Sequence, residues 1–448
     1  MNPRKGAYRV LGKVLYDETY SNIALNEEIQ KGGYNDKDLS LLTELVYGTI
    51  EKLLTINFGI DHFSKVKTKK MDEATRLILQ IGAYQILFLD RIPDFAIANE
   101  AGKLAGVYAK RSKGFINGVL RNMIRRKGEI PWPKKEKDFT EYLSVAYSYP
   151  TWLVEELLTY YSKDFTEDFM KASSKNPPLY FRVNTLKTDK EKVLEYLKKE
   201  DLEVEETELL GEAVKVKGLK NISDFYPLKE GWVHIQDLSS MLAAKFLDPK
   251  PGEQIMDLCS APGGKTTHMA QLMENQGRII ARDIFPHKLR LIEEHSRRLG
   301  ITIIEVQEFS GEKLDENLLE KADKVLVDAP CSGIGVIRRK PEIKYRLKKE
   351  SLQALQNLQS SVLENASRYV KPGGFLMYST CTIHPLENHQ LTEKFLKTHG
   401  DFISVDLKEK SGGGFEDMGD LFTPAGEVAS FPHKHQTDGF YIRMFQKK

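Results

Sequence analysis

Apolar positions with helical spacing run through the first 127 residues of the chain. The spacing is clearest in two sets: Ala7, Val10, Leu11, Val14 and Leu15, and then Leu41, Leu42, Leu45, Val46, Ile50 and Leu53. Another helix is predicted over residues 72–88, and Pro93 marks the start of the next one. Because no segment alternates as a strand does, we predict an all-α bundle for residues 1–130.

The pattern changes after a stretch over 128–140 that is rich in proline and lysine. A strand over 179–185, a charged helix over 189–199 and short strands near 204–205 and 214–216 predict a small α+β module. We assign residues 131–231 to this linker and module. No catalytic constellation is evident within it.

Residues 232–448 read as an α/β domain in which strands and helices mostly alternate. Strands are predicted at 254–258, 278–282, 302–306, 323–328, 374–380, 402–406 and 439–446. The first of these ends at Asp257 and leads into the turn residues Ala261, Pro262, Gly263 and Gly264, after which Lys265 opens a helix. This order is typical of a Rossmann-like sheet that binds its ligand at the carboxyl ends of the strands.

The glycine turn departs from two common phosphate-binding loops. A Walker A loop would need glycine where Cys259 stands, and the dinucleotide pattern G-x-G-x-x-G is absent. An ordinary strand–helix turn remains possible on this evidence alone. Asp283, at the end of the second strand, stands where doubly wound folds place the acid that binds a ribose.

Two thiols and an acid follow later strands. Asp328 ends one buried strand and is followed by Cys331, and Cys381 follows the strand that begins near residue 374. In a doubly wound sheet these two strand ends would be neighbours that open onto the same crevice as Gly263. The sequence therefore predicts a carboxylate and two thiols beside a nucleotide-like cofactor.

Composition restricts the class of protein. With 41% hydrophobic and 29% charged residues the chain has the composition of a soluble globular protein. The apolar run over 77–89 is too short to cross a bilayer, and the N-terminus has no apolar export segment. Three widely spaced cysteines favour a reducing compartment, so we expect a cytoplasmic protein, monomeric and without membrane contact.

The charge is distributed unevenly. Residues 1–130 contain 21 Lys and Arg against 15 Asp and Glu, a net charge of +6 in a chain whose total is only +2. The excess clusters at 65–70 and 121–127, with a further basic stretch at 338–349. Solvated surface is the ordinary explanation of such runs. Beside a neutral enzyme domain, they indicate a polyanionic partner, most simply RNA.

Several segments resemble known families. RKGAYRVLGKVL, DKDLSLLTELVYGTI, ILQIGAYQILFLDRIP and GFINGVLRNMIRR are similar to the NusB family of helical RNA-binding domains. DLCSAPGGKT, DAPCSG, RRKPEIKYR and YSTCTIHPLEN, in this order, resemble the S-adenosylmethionine-dependent RNA cytosine-C5 methyltransferases. The chain as a whole resembles the RsmB/Sun (Fmu) family, whose members methylate a cytosine of 16S ribosomal RNA.

The resemblance implies roles for the two thiols. Cytosine carbon 5 is a poor nucleophile, and a thiolate that adds at carbon 6 activates it. The family assigns this attack to the cysteine matching Cys381 and release of the adduct to the one matching Cys331. DNA cytosine methyltransferases use a Pro-Cys cysteine instead, so Pro330-Cys331 is an alternative nucleophile. Asp328 would lie near the cofactor and the target base.

The resemblance also implies a cofactor site and an RNA contact. S-adenosylmethionine would be held by the turn Cys259, Ser260, Ala261, Pro262, Gly263, Gly264 and Lys265, with Asp283 on the ribose. Where the family usually has an aspartate for the adenine, this chain offers Ser310 or the neighbouring Glu308. The basic segment with Arg338, Arg339, Lys340 and Lys344 would hold RNA phosphates. No metal is expected, because no cluster has ligand spacing.

Two alternatives remain at this point. The chain could methylate a transfer RNA cytosine by the same chemistry, or it could be a non-catalytic RNA-binding protein with a degenerate α/β domain. The favoured substrate is 16S ribosomal RNA, either free or in an early small-subunit particle.

Overall fold

The chain folds into two compact units. The computed structural model describes residues 1–207, 210–219, 222, 224–413, 415 and 418–448. The first unit comprises Met1–Lys175 together with Ile337–Lys349, and the second comprises Asn176–Val336 together with Glu350–Lys448. The segment Ile337–Lys349 thus leaves the second unit along the chain and packs within the first.

The helices are as follows, in chain order. They are α1 (Pro3–Leu15), α2 (Ser21–Gln30), α3 (Asp36–Glu51), α4 (Leu53–Phe63), α5 (Glu73–Phe88), α6 (Asp94–Tyr108), α7 (Lys113–Arg126), α8 (Phe139–Tyr147), α9 (Thr151–Tyr160), α10 (Lys163–Ser173), α11 (Lys190–Lys199), α12 (Tyr226–Lys229), α13 (Leu238–Leu247), α14 (Gly264–Leu272), α15 (Pro286–Leu299), α16 (Ile343–Arg346), α17 (Lys349–Tyr369), α18 (His389–Thr398), α19 (Leu407–Lys410) and α20 (Pro432–His435). Short 3-10 helices cover Thr68–Lys70, Lys110–Ser112, Lys127–Glu129, Glu316–Leu318 and Ile334–Val336.

The first unit is all helical, as predicted for the N-terminal part of the chain. Its central helix is α5, which begins where the Asp72 carboxylate accepts a hydrogen bond from the Thr75 amide and which is buried along most of its length. Apolar faces of α1, α3, α6 and α7 pack against it. The unit continues beyond the expected boundary at residue 130, since α8, α9 and α10 belong to it.

A small antiparallel sheet opens the second unit and forms the predicted connector. Its strand order is β2 (Glu203–Glu206), β3 (Ala213–Lys217), β1 (Leu179–Val183) and β4 (Val233–Ile235). Helix α11 packs on one face through Val193 and Leu197, which are buried with Phe181 and Val214 of the sheet.

The main sheet of the second unit has the predicted Rossmann-like order. Its strands are β5 (Gln254–Asp257), β6 (Arg278–Asp283), β7 (Ile304–Glu308), β8 (Ala322–Asp328), β9 (Val370–Thr380), β10 (Phe402–Val405), β11 (Val428–Ser430) and β12 (Phe440–Lys447). They are ordered β10-β12-β9-β8-β5-β6-β7, and β11 pairs with β12. Strands β7, β6, β5, β8 and β9 are parallel, whereas β12 is antiparallel to β9 and to β10.

The strand order reverses between β5 and β8. From β5 the chain adds β6 and β7 on one side, and then crosses to add β8 and β9 on the other. Ligands of open α/β sheets bind at such a switch point, outside the carboxyl ends of the strands. The fold therefore places the binding crevice at the ends of β5 and β8. Among the described residues, no helix has the length and apolar character needed to cross a membrane.

The segment Ile337–Lys349 is held in the first unit by polar contacts. The Glu342 carboxylate is buried and accepts hydrogen bonds from the Ser21 amide (2.9 Å) and from the Ser21 hydroxyl (3.0 Å to Oε2). Arg346 donates to the carbonyls of Val14 (2.9 Å) and Thr19 (2.6 Å). These contacts join the segment to the first two helices of the chain.

Lys344 is the most deeply buried cation of this segment. Its ammonium donates to the carbonyl of Glu51 (2.9 Å) and to that of Tyr147 (3.3 Å), and it lies 4.8 Å from the ring centre of Tyr149. Burial lowers the pKa of Lys344 from 10.5 to about 7. Keeping Lys344 charged in the folded chain therefore costs free energy, because the carbonyl oxygens replace only part of the hydration that the ammonium loses on burial.

This shift predicts how stability depends on pH. Between pH 7 and 10.5 the unfolded chain keeps the Lys344 proton that the folded chain releases, so folding stability gains with rising pH. Relative to Lys344→Met, the wild-type chain should gain at most ~1.4 kcal/mol per pH unit in this window. Thermal unfolding of both proteins from pH 7 to pH 9 measures the difference. Lys340→Met, at an exposed lysine of the same segment, is the matched control. Parallel pH curves for wild type and Lys344→Met would contradict the shift.

Candidate active site

Three strands of the second unit end side by side with polar residues. Asp328, the last residue of β8, pairs in register with Ser379 of β9, and Asp257 at the end of β5 pairs with Leu326 of β8. The prediction that the strands leading to Cys331 and Cys381 are neighbours is therefore confirmed. Parallel pairing places their following loops at the same edge as the glycine turn.

The turn after β5 needs glycine at one position. Gly263 has φ +98°, and a Cβ there would lie 3.1 Å from a side-chain carbon of Ile292. Helix α14 begins at the next residue without a side-chain cap. Its first backbone N–H groups are therefore available to an anionic group of a ligand.

Asp257 lies beneath this turn and is fully enclosed. Its Oδ2 accepts a hydrogen bond from the Thr266 hydroxyl (2.7 Å), whereas its buried Oδ1 makes no hydrogen bond within the described residues. Burial is the main cause that raises the pKa of Asp257 to about 7. The side chain thus ties β5 to α14 and leaves one polar atom unsatisfied at the site.

The small sheet binds the glycine turn through a buried arginine. Arg182 of β1 is fully buried and donates to the Gly264 carbonyl (2.8 Å) and to the Thr267 hydroxyl (3.0 Å). His295 of α15 contacts the Pro262 carbonyl through Nδ1 at 3.0 Å. No catalytic residue was predicted within the connector. The one signal it held was a lone arginine within the apolar strand LYFRV.

Lys265 joins the turn to the end of β8. Its ammonium lies 2.6 Å from Oδ2 of Asp328, and Oδ1 of Asp328 accepts a hydrogen bond from the Ser379 hydroxyl at 2.8 Å. The ammonium also lies 4.8 Å from the ring centre of Phe440. A single carboxylate thus connects the strands β8 and β9 with the helix that follows β5.

The two predicted thiols meet. The Sγ atoms of Cys331 and Cys381 are 3.4 Å apart, no disulfide joins them, and both side chains are partly exposed. Hydrogen bonds between the two loops hold them: the Gly335 amide donates to the Cys381 carbonyl (3.0 Å), and the hydroxyls of Ser332 and Thr382 are 2.7 Å apart. The hydrogen bond with Cys381 is the largest cause that raises the pKa of Cys331, followed by burial.

A buried glutamate lies under the first thiol loop. Oε2 of Glu387 accepts hydrogen bonds from the Ser332 amide (2.8 Å) and from the side-chain amide of Gln359 (2.9 Å). The same Gln359 amide also donates to the Pro330 carbonyl at 2.9 Å. Glu387 was not among the predicted site residues, although it follows Cys381 by six residues within the segment YSTCTIHPLEN.

The remaining cofactor candidates line the neighbouring strand ends. The Ser260 amide donates to the Arg282 carbonyl (2.9 Å), and Oδ1 of Asp283 accepts from the Phe285 amide (3.0 Å). Ser310 follows β7, and its hydroxyl accepts from the Glu312 amide (3.3 Å), while Glu308 is exposed. Burial raises the pKa of Cys259, so this thiol is neutral near pH 7. The roles of these residues remain predictions.

The expected RNA-contacting cations lie in the first unit. Lys340 is exposed, with its ammonium 4.9 Å from the ring centre of Tyr20, whereas Arg338 and Arg339 are half-buried. Lys344 differs from the expectation. Its ammonium is bound by carbonyl oxygens in the interior of the helical unit, so it does not present its charge to a phosphate, and we remove it from the RNA-contacting set.

One cluster of metal-binding residue types occurs in the part of the chain that the structure describes. His389, Glu393 and Glu427 bring ligand atoms within 4.8 Å of one another. The Arg443 guanidinium lies 2.7 Å from Glu393 and 3.0 Å from Glu427. A positive charge is therefore already in place, and the cluster reads as an ion-pair network.

The chemistry available to the site follows from these contacts. A turn that presents backbone N–H groups stands beside a lysine–aspartate pair and two adjoining thiols. Such thiols supply a soft nucleophile and a group able to give or accept a proton. The arrangement suits covalent catalysis on an electrophilic carbon, next to a cofactor bound at the switch point.

Known families match three parts of the chain. Residues 1–125 match the NusB family, and residues 149–223 match the ferredoxin-like domain of RsmF/B-like methyltransferases. Residues 244–446 match the family described as 16S rRNA methyltransferase RsmB/F. The three matches follow the helical unit, the small sheet and the main sheet in order.

Individual relatives span the whole chain. The probable ribosomal RNA small subunit methyltransferase B of Bacillus subtilis (strain 168) is 37% identical over 445 residues, which is 99% of this chain and 98% of the relative. The corresponding protein of Synechocystis sp. is 32% identical over 453 residues, 100% of both chains.

Solved structures show the same similarity. The crystal structure of PH0851 superposes with a TM-score of 0.83 at 30% identity and covers 100% of this chain and 99% of that one. The crystal structure of NSun6 from Pyrococcus horikoshii with SFG superposes with a TM-score of 0.58 at 26% identity, over 66% of this chain and 98% of that one.

Proposed function

The chain belongs to the RsmB/F family of 16S rRNA methyltransferases, and from this premise we propose that it methylates carbon 5 of a cytosine in 16S ribosomal RNA, with S-adenosylmethionine as the donor and a cysteine bound covalently to the base. The single observation that carries the covalent mechanism is the distance of 3.4 Å between the sulfurs of Cys331 and Cys381, at the edge where β8 and β9 end. An activated thiol is what attack on cytosine carbon 6 requires.

The residues at the switch point fit the cofactor. The uncapped start of α14 and the close-packed Gly263 form a cradle suited to the amino-acid end, with Cys259 to Lys265 along it. Asp283 would accept hydrogen bonds from the ribose hydroxyls, and Ser310 would face the adenine. When bound, S-adenosylmethionine supplies an electrophilic methyl group on a sulfonium.

The two thiols take different steps in this proposal. The Cys381 thiolate adds to carbon 6, which makes carbon 5 nucleophilic. Carbon 5 then takes the methyl group, a base removes the carbon 5 proton, and the carbon 6–sulfur bond breaks to return the thiolate. We assign the proton-accepting step that precedes release to Cys331, which is partly exposed: its thiol first gives up its own proton to water, and the thiolate then accepts the carbon 5 proton. Asp328, bound to Lys265, would contact the ring where charge develops.

A transfer RNA target would use the same chemistry. The helical first unit and the similarity to ribosomal RNA methyltransferases over the whole chain favour ribosomal RNA. Mapping of 5-methylcytosine in RNA from a strain that lacks the protein identifies the modified molecule and the position. Loss of the base from a transfer RNA alone would refute the proposed target.

We also propose a ribosomal RNA contact on the first unit. A groove between α6 and α7 has the ammonium of Lys113 and the guanidinium groups of Arg121 and Arg125 on its rim, all exposed. Phe95 beside them is 79% exposed, an uncommon position for an aromatic ring. Cations that follow a groove with a ring on which bases can stack are typical of single-stranded RNA binding.

Charge removal tests this groove. Lys113→Ala, Arg121→Ala and Arg125→Ala together should weaken RNA binding and reduce the salt dependence by about 0.7 per lost phosphate contact. Phe95→Ala should cost about 1–3 kcal/mol by loss of stacking on one base. The control removes an equal charge from the exposed Lys65, Lys69 and Lys70. Fluorescence anisotropy with a 16S fragment measures the affinity, and equal losses in both triple variants would mean that net charge acts without the groove.

Asp283 tests the cofactor site. Asp283→Ala removes an acceptor at the end of β6 and should weaken S-adenosylmethionine binding by about 1.5–3 kcal/mol, the range of hydrogen bonds to charged groups. Calorimetric titration with S-adenosylmethionine measures the effect without RNA. Glu293→Ala, at an exposed carboxylate of α15 outside the predicted site, is the control. An unchanged affinity in Asp283→Ala would remove this residue from the site.

The covalent mechanism makes a prediction that separates the thiols. Cys381→Ala should abolish both methylation and the enzyme–RNA adduct, because no thiolate attacks. Cys331→Ala should still attack and methylate but should release product slowly, so that an adduct stable to denaturing electrophoresis accumulates. The wild-type enzyme, assayed in parallel, serves as the control. An adduct in Cys381→Ala and none in Cys331→Ala would exchange the two roles, and methylation by both variants would refute the thiol mechanism.

A further inference from the structure

Glu387 lies on the loop that follows Cys381, and its buried carboxylate is hydrogen-bonded to the Cys331 loop. It is fully buried, and its Oε2 holds the Ser332 amide next to Cys331. Gln359 of α17 reaches the same oxygen and also the Pro330 carbonyl, so the turn around Cys331 is bound from both sides. Two N–H groups therefore share one carboxylate oxygen, Oε2, beside Cys331.

The proposed mechanism requires that one of the two thiols ionises before the other. Two sulfurs at 3.4 Å cannot both carry a negative charge in a partly buried site, so the first ionisation leaves one proton between them. The titratable groups that interact electrostatically with Cys331 are Glu387 and Tyr378 of β9, and the ion pair of Asp328 and Lys265 lies at the end of the strand that leads to Cys331. The negative charge of Glu387 is among the causes that raise the pKa of Cys331.

We propose that Glu387 is a positioning residue that fixes the turn Pro330–Ser332 and retains the shared proton on Cys331, so that the thiolate forms on Cys381. The inference rests on the proposed covalent mechanism, and it adds the group that selects the nucleophile. A negative charge beside the Cys331 loop disfavours a second charge on that sulfur. Cys381, at the end of the neighbouring strand, then accepts the hydrogen bond of the Cys331 thiol.

The substitution Glu387→Gln separates charge from geometry. The amide oxygen can replace Oε2 as acceptor for Ser332 and Gln359, and the amide nitrogen takes the place of Oε1, which makes no hydrogen bond within the described residues. The matched control is Gln359→Leu, which loosens the packing around the same carboxylate but keeps its charge. Melting temperatures show whether both variants of the full-length protein fold.

The experiment measures thiol ionisation without catalysis. Rates of iodoacetamide alkylation are followed from pH 6 to pH 10 by peptide mass spectrometry, for Cys331 in a Cys381→Ser background and for Cys381 in a Cys331→Ser background. With Glu387→Gln, alkylation of Cys331 near neutral pH should become about tenfold faster, which corresponds to one unit of pKa. Cys381 should change less. No RNA or S-adenosylmethionine is present, so the result is independent of whether the methyl-transfer proposal holds.

Three outcomes would overturn the inference. Equal effects of Glu387→Gln on both thiols, or none, would leave Glu387 with a packing role alone. Faster alkylation of Cys331 in Gln359→Leu would assign the effect to the loosened turn. The wild-type chain provides a further test without any substitution, because the inference requires that Cys381 is alkylated at lower pH than Cys331. The reverse order would place the thiolate on Cys331.

Discussion

The candidate site depends on the contact between Lys265 and Asp328, which connects separate segments of the second unit. Lys265 belongs to the helix that follows β5, and Asp328 ends β8, while Ser379 of β9 binds the other carboxylate oxygen. Two hydrogen bonds to one carboxylate thus fix the relative position of three chain segments. The thiols follow two of these segments within three residues, so their separation is determined by the same contact.

The small sheet serves the main sheet and is not an independent module. A guanidinium with no exposure is costly to place in a protein interior unless its donors are bound. Arg182 meets this condition at its two terminal nitrogens, which donate to the Gly264 carbonyl and the Thr267 hydroxyl of the glycine turn and its helix, whereas its Nε makes no hydrogen bond within the described residues. Asn184 of the following turn donates to the carbonyls of Gly231 and Leu299. The connector therefore determines the position of the turn from the side opposite the crevice.

Local sequence patterns predicted the helices and strands. Site residues that act through long-range contacts were not predicted. The strands that end at Asp257, Asp328 and Thr380 were predicted because each is a buried run followed by turn residues. The start of β9 was placed at residue 374 because Gly373 reads as a turn, but the strand begins at Val370, which pairs with Ala322 before an irregular stretch that ends at Phe375. Glu387 and Arg182 were not predicted as site residues, because their partners lie 28 to 85 residues away in sequence.

The basic segment after Cys331 shows why charge alone does not determine a role. Lys344 and Arg346 lie in a run that reads as a solvated or RNA-binding surface, yet both donate to backbone carbonyls of the helical unit. Carbonyls at helix ends lack partners within their own helix, and a cation can satisfy them at a depth that water does not reach. The Glu51 carbonyl, at the end of α3, is such a group.

The proximity of the two thiols imposes a condition on any mechanism that uses them. While Cys381 is bonded to a base, the proton that the pair shared stays on Cys331, and this thiol acts as an acid until it has released that proton and as a base afterwards. In the proposed reaction Cys331 reaches this state only after Cys381 has attacked. The loop that carries Cys331 is bound by Glu387 and Gln359, whereas the Cys381 loop is bound to it through Gly335 and Thr382. The packing of these two loops therefore holds Cys331, the thiol that transfers the proton, beside Cys381, the thiol that attacks.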